Sequence, residues 1–231
     1  MCIRDRSVAT TVLPVLSGQY LKKNYSDFSR TINEKLKFLL FLSTPFVLAF
    51  IFIGQDICNV LYARGEFTVD DSYMTYKALL AYSFGLIFIA GVRLITQGFY
   101  ATKNTKLPVI FGAYNLGVNF ILCYILGFYF NLGFFGLALA SSISSMFLFC
   151  MLLFKLKTLI VGIEILNFFK YLIIILLISG VSLFLGINAS QFIFHGSSIT
   201  MSLIFTILFS AGIFYTISRV LRLSELRMIF K

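Results

Sequence analysis

Arg93 is the only charged residue between Lys77 and Lys103. An ionisable group inside an apolar run is costly to leave in hydrocarbon, so it faces a cavity or a partner. Ten residues separate it from Lys103, about 15 Å of helix. Its guanidinium can take a pyrophosphate through paired, charge-assisted hydrogen bonds. It can equally snorkel, or bond helix carbonyls. Gln97 lies four residues on, on the same helix face, and can hydrogen-bond a sugar or an Arg93-bound phosphate. The competing reading is polar glue between helices. Asn115 and Asn119 repeat the four-residue spacing in the next apolar run. Two carboxamide oxygens on one face can help hold a monovalent cation, or can hydrogen-bond a neighbouring helix. His195 is the one histidine. It has no second His or carboxylate beside it and reads as a solvent-exposed loop residue, not a ligand. Cys2, Cys58, Cys123 and Cys150 show no CxxC spacing, which indicates neither a disulfide framework nor a zinc site. The sparse Ser, His and Asp content argues against nucleophilic catalysis. The expectation is therefore no enzyme, no metal and no cofactor, with a monovalent coupling cation as the one small ligand left open.

The elements that position these residues follow from hydropathy. The 231 residues are 59% hydrophobic and 12% charged, with a mean hydropathy of +0.95. A soluble domain is usually about 45–50% apolar and about 25% charged. That excludes an ordinary soluble enzyme, a nucleic-acid-binding module and a disordered chain. A membrane-crossing helix needs about 20 mostly apolar residues. Charge-free stretches give spans at 36–54 and 78–101. Residues 107–154 carry no charge over 48 positions, and the turn signal Phe130-Asn131-Leu132-Gly133 divides them into spans at 108–129 and 134–154. Residues 171–218 repeat the pattern, and the polar segment 188–198 gives spans at 169–187 and 199–218. These runs are apolar on all sides, so helices rather than barrel strands are expected. The fold class is all-α, a polytopic membrane protein of six transmembrane helices.

Lys and Arg concentrate in every second connection: Lys22 to Lys37, then Lys103 and Lys106, then Lys155, Lys157 and Lys170, then Arg219 onward, while the connection 55–77 sets Arg64 and Lys77 against Asp56, Glu66, Asp70 and Asp71 and the turns near 130 and at 188–198 have no charge. Basic loops face the cytoplasm, which places the C-terminus there. The net charge of +10 is read as a topology signal, and no nucleic-acid partner is expected. Before the first span, Leu21, Tyr25, Phe28, Ile32 and Leu36 share one helical face, while Lys22, Lys23, Asp27, Arg30 and Glu34 lie off it. Segment 19–35 is expected to be a cytoplasmic amphipathic helix, lying on the membrane surface or packed on other loops. Residues 1–6 read as a non-native leader. Residues 7–18 read as the end of a truncated transmembrane helix, being too short to span, with Pro14 closing it. Pro45 and Pro108 fall near span ends. Gly112, Gly117, Gly127, Gly133 and Gly136, with Ser141, Ser142, Ser144 and Ser145, are read as small residues that let helices approach.

Several segments carry a resemblance. Residues Ala9 to Ser17 (ATTVLPVLS) resemble a signature of the MurJ/MviN family of lipid II flippases. Leu61 to Thr68 (LYARGEFT), Ala81 to Leu86 (AYSFGL), Gly98 to Pro108 (GFYATKNTKLP) and Gly136 to Ser142 (GLALASS) resemble further family segments, in the family's order, across residues 7–157. Residues 158–231 resemble it only in having two more apolar spans. The resemblance implies the C-terminal portion of a fourteen-helix, MATE-like transporter of the multidrug/oligosaccharidyl-lipid/polysaccharide exporter superfamily. Residues 36–157 would form the four-helix part of its C-terminal lobe, and 158–231 the pair of helices that forms a lipid-tail groove. It implies an undecaprenyl-diphosphate-linked substrate, membrane lipids and an N-terminal lobe as partners, and the bacterial cytoplasmic membrane as location. It supports a basic residue at Arg93. Some members are similar in being cation-coupled near Asn115 and Asn119, often with a carboxylate that this chain lacks. Alternatives are an exporter of other polysaccharide-lipids or cationic drugs, or a non-transporting scaffold. A drug exporter is expected to place carboxylates in its spans, and these spans have none.

Overall fold

The computed structural model of the chain describes residues 3–63, 65–194, 198–221 and 225, with side chains from Val12 onward. Among the described residues eight α-helices follow one another: α1 (Ile3–Leu21), α2 (Tyr25–Phe52), α3 (Gly54–Tyr62), α4 (Val69–Ala101), α5 (Lys106–Cys123), α6 (Gly133–Leu159), α7 (Ile165–Ile193) and α8 (Ile199–Val220). A π-helical turn, Tyr124–Tyr129, extends α5. Six segments are long and apolar enough to cross a membrane, namely α2, α4, α5 with its π-turn, α6, α7 and α8. His195, Arg64 and most of the chain after Leu221 lie outside the described residues.

The most extensive helix contact joins α4 to α6, and glycines on α4 make it possible. A Cβ at Gly85 would lie 2.7 Å from the Cα of Ser142, one at Gly91 would lie 2.3 Å from the Phe149 ring, and one at Gly98 would lie 3.2 Å from Leu156. Residue numbers rise together on both helices, so the pair is parallel. Ser142, Phe149 and Leu156 are spaced by sevens, the repeat that keeps one helix face on its neighbour. Ser142 Oγ also donates to the Ala81 carbonyl across the seam at 2.7 Å. The glycines expected to act this way divide. Nothing lies within 4 Å of a Cβ at Gly112, Gly117 or Gly133, whereas Gly127 and Gly136 do meet the facing helix of the α5–α6 hairpin.

The amphipathic segment is not a separate element. Its first residues end α1, the chain turns at Lys23 with φ +55°, and α2 then runs unbroken from Tyr25 to Phe52. Asn24 caps this helix by accepting from the Asp27 N–H. Phe28 and Ile32 are fully buried and Leu36 nearly so, in one core with Phe99 of α4, Leu156 of α6 and Phe168 of α7. Leu21 and Tyr25 remain exposed. Most of the apolar stripe therefore packs on protein. Pro14 lies inside α1 and does not close it, and Pro45 lies inside α2. The short α3 packs on the start of α4: Ser72 Oγ donates to Asn59 Oδ1 at 2.6 Å, and burial raises the Asp56 carboxyl above the usual carboxylate range.

The basic end of α2 grips the α6–α7 connection. Asn33 Nδ2 donates to the Gly162 carbonyl at 3.0 Å, and Asn33 Oδ1 accepts from the Glu164 N–H at 3.3 Å. Gly162 has φ +105°, and a Cβ there would lie 2.7 Å from Ser29 Oγ. Left-handed backbone and lack of room both require glycine. Gly162→Ala is expected to cost about 1–3 kcal/mol and Asn33→Ala about 0.5–1.5 kcal/mol, read as a lower thermal midpoint of the purified chain. An unchanged midpoint for both would mean that the clamp contributes nothing. Further along, α7 and α8 close a smaller cluster on α2, where the Phe41 and Phe214 rings lie 5.0 Å apart beside Ile175 and Ile178.

Candidate functional site

Arg93 and Gln97 take their positions from the α4–α6 seam. Two residues separate Arg93 from Gly91, about 200° around the helix. Gly91 faces Phe149 of α6, so Arg93 points away from α6. Gln97, one turn on, shares that face, and both side chains are half-buried. Between them Thr96 bonds back to the Val92 carbonyl at 2.7 Å, so this stretch of α4 keeps its own hydroxyl satisfied within the helix. The result is a guanidinium and a carboxamide on one face of a helix whose other side is fixed by close packing. In an apolar wall the guanidinium supplies a fixed charge and a planar fork of donors, suited to a phosphate or carboxylate.

Asn115 and Asn119 occupy a different face. Asn119 Nδ2 donates to Ser144 Oγ of α6 at 2.8 Å, and Asn119 Oδ1 accepts from the Cys123 thiol at 3.4 Å. Asn119 is therefore engaged in joining α5 to α6, the helix–helix alternative of the two readings. Asn115 Oδ1 is buried and has no hydrogen-bond partner among the described residues. The two pairs are not brought to one point: Asn119 faces α6, while Arg93 and Gln97 turn from it. Ser144 was legible only as a small packing residue, and its role as the partner of Asn119 needed the facing helix. A double-mutant cycle on Asn119→Leu and Ser144→Ala is expected to show coupling of about 0.6–2 kcal/mol. Strict additivity in thermal unfolding would break the assignment.

At the basic end, Tyr171 of α7 packs on the cluster that holds Phe41 of α2 and Phe214 of α8. Lys37 Nζ lies 5.9 Å above its ring, and its buried hydroxyl has no hydrogen-bond partner among the described residues. Nothing in the sequence pattern pointed to this junction. Among the described residues no three His, Cys, Asp or Glu side chains converge as metal ligands.

Comparison with known proteins gives one consistent family. A family model described as lipid II flippase MurJ matches residues 5–208. A probable lipid II flippase MurJ of Vibrio cholerae is 32% identical over 139 residues, covering 60% of this chain and 26% of the relative. The lipid II flippase MurJ of Thermosipho africanus is 36% identical over 152 residues, covering 66% of this chain and 30% of the relative. A probable lipid II flippase MurJ of Thermotoga maritima is 27% identical over 227 residues, covering 97% of this chain and 44% of the relative. A solved structure of lipid II flippase MurJ in an inward closed conformation superposes with a TM-score of 0.74 at 31% identity, over 95% of this chain and 44% of that one. The chain thus spans less than half the length of these relatives. With six apolar helices in the same arrangement, it is a multi-pass membrane protein.

Proposed function

Because the chain belongs to the lipid II flippase MurJ family, we propose that it supplies the six-span C-terminal part of a transporter for an undecaprenyl-diphosphate-linked peptidoglycan precursor in the bacterial cytoplasmic membrane. The observation that carries this reading is Arg93: a cation within an apolar span, held on the face of α4 turned from the α6 seam. In the assembled protein that face borders the cavity, Arg93 takes the diphosphate bidentately, and Gln97 hydrogen-bonds the phosphate or an adjoining sugar. The α7–α8 pair offers the groove in which the lipid tail stays while the headgroup crosses. Two lobes rock around the cavity in alternating access. No bond is made or broken, so the protein works as a carrier and not as an enzyme. The apolar stretches of its spans hold no carboxylate, which favours an anionic headgroup over a cationic drug. The basic end, with the C-terminus, lies in the cytoplasm by the positive-inside bias.

The test is complementation. The N-terminal part of a MurJ relative would be joined upstream of Ser7, and the chimera expressed in cells depleted of their own lipid II flippase. The chimera is expected to restore growth and the chain alone is not. Failure of a well-inserted chimera whose donor protein does rescue would shift the reading to another lipid-linked polymer. Of the cation coupling expected at Asn115 and Asn119, the part at Asn115 belongs to the same proposal, supported by its unpartnered oxygen, while Asn119 is held by Ser144. Asn115→Ala should alter the cation dependence of rescue, and an unchanged dependence would remove that part.

A further inference from the structure

The turn between α5 and α6 carries no charge, and its one polar side chain between Tyr129 and Phe134 is Asn131. Asn131 and Gly133 take φ of +53° each and reverse the chain. A Cβ at Gly136 would lie 2.5 Å from the Leu126 carbonyl oxygen, so the first turn of α6 lies directly on the π-turn backbone. The rings find no place inside this tight corner. Tyr124, Phe128, Tyr129, Phe130 and Phe134 are between 59% and 81% exposed. Two ring pairs form among them, Tyr124 with Phe128 at 5.9 Å and Tyr129 with Phe130 at 5.5 Å.

Five largely bare rings make an apolar surface on the order of 500 Å², more than a water-facing loop ordinarily leaves open. This surface continues the exposed apolar side of α5, which runs through Val109, Ile110, Leu116 and Phe120 from the basic end. The segment Lys106–Tyr129 has 24 residues, about 36 Å as α-helix. Measured from Lys106 at the water boundary, that length ends in the interfacial zone beyond a hydrocarbon core of about 30 Å. Tyrosine and phenylalanine with an uncharged backbone turn suit the headgroup–acyl boundary. The acidic connection at the same end, with Asp56, Glu66, Asp70 and Asp71, suits water.

We propose that the α5–α6 turn is a lipid-docking surface, seated in the headgroup–acyl boundary of the leaflet opposite the basic end and not projecting into water. With no basic residue in it, the surface takes neutral or zwitterionic lipid and needs no anionic headgroup.

The chain contains no tryptophan, so a single introduced indole reports alone. Phe130→Trp, in the full chain reconstituted into phosphatidylcholine–phosphatidylethanolamine vesicles, should emit to the blue of Glu66→Trp. It should lose most of its emission to lipids brominated near the headgroup end of the chain and little to acrylamide. Glu66→Trp should show the reverse. Tyr129→Trp repeats the measurement should the Phe130 variant fail to insert. Emission and acrylamide quenching like those of Glu66→Trp would overturn the proposal. So would shielding from both quenchers, which would mean that a second copy of the chain covers the turn.

Discussion

Gly91→Ala should destabilise the chain by about 1–3 kcal/mol, the usual cost of overpacking a tight core. A methyl group there would come within 2.3 Å of the Phe149 ring. The ring cannot swing aside, because it is fully buried and lies against Phe88 at 5.7 Å and Phe168 at 5.3 Å. In an open helix the same substitution goes the other way, since Ala is favoured over Gly by up to about 1 kcal/mol. Gly112→Ala and Gly117→Ala, with nothing within 4 Å, should therefore leave stability unchanged or raise it slightly. The sign difference within one chain separates packing from propensity. Phe149→Leu should cost less in the Gly91→Ala background than alone, because it removes the ring that the new methyl strikes. Thermal unfolding of the four proteins in detergent measures this, and simple additivity would show that Gly91 and Phe149 do not meet.

The second large effect is expected on transport. If the proposed role holds, Arg93→Ala in the chimera with a MurJ relative's N-terminal part should lower lipid II translocation at least about 30-fold, taking 2–5 kcal/mol as the cost of removing one partner of a buried, hydrogen-bonded charge pair. Arg93→Lys keeps the charge and loses the planar fork, so it should retain part of the activity. Gln97→Ala should have the smaller effect of a neutral hydrogen bond, about 0.5–1.5 kcal/mol. The measurement is translocation per molecule of inserted protein. Wild-type rates for Arg93→Ala at equal membrane levels would exclude Arg93 from the substrate path.

The six spans were legible because lipid imposes them: a backbone in hydrocarbon must satisfy itself, and that leaves long charge-free runs in the sequence. The extent of each helix was less legible. The start of α4 at Val69, nine residues before its apolar run, is marked by Thr68 and Asp71 in a reciprocal cap, a readable signal that hydropathy alone passes over. The union of the amphipathic segment with the first span could not be read, because a stripe of Phe28, Ile32 and Leu36 looks the same whether lipid or protein covers it. What covers it, Phe99, Leu156 and Phe168, is remote in sequence. The glycines show the same limit. Their abundance in the α5–α6 hairpin was visible, but the notches that open the α4–α6 seam are Gly85, Gly91 and Gly98 on α4. Which glycine meets a neighbour depends on which face the fold turns inward. At the site, the pairing of Arg93 with Gln97 on one face followed from spacing alone. The engagement of Asn119 with Ser144 needed the partner helix.

The grip of Asn33 on the α6–α7 connection has a consequence in time. Its two partners lie 129 and 131 residues further along the chain. At roughly 5–20 residues per second of synthesis, about 6–26 s pass before they exist. Until then the carboxamide must be hydrated and the Phe28–Ile32 stripe must find interim cover, which the membrane interface offers. Lipid and protein would then be successive occupants of one surface, the first during translation and the second after it. With the chain's own cysteines replaced, chains stalled before Gly162 should leave a Ser29→Cys thiol open to a maleimide, and released full-length chains, where Ser29 is buried against Gly162, should protect it. Equal labelling of both would mean that α2 is covered from the start.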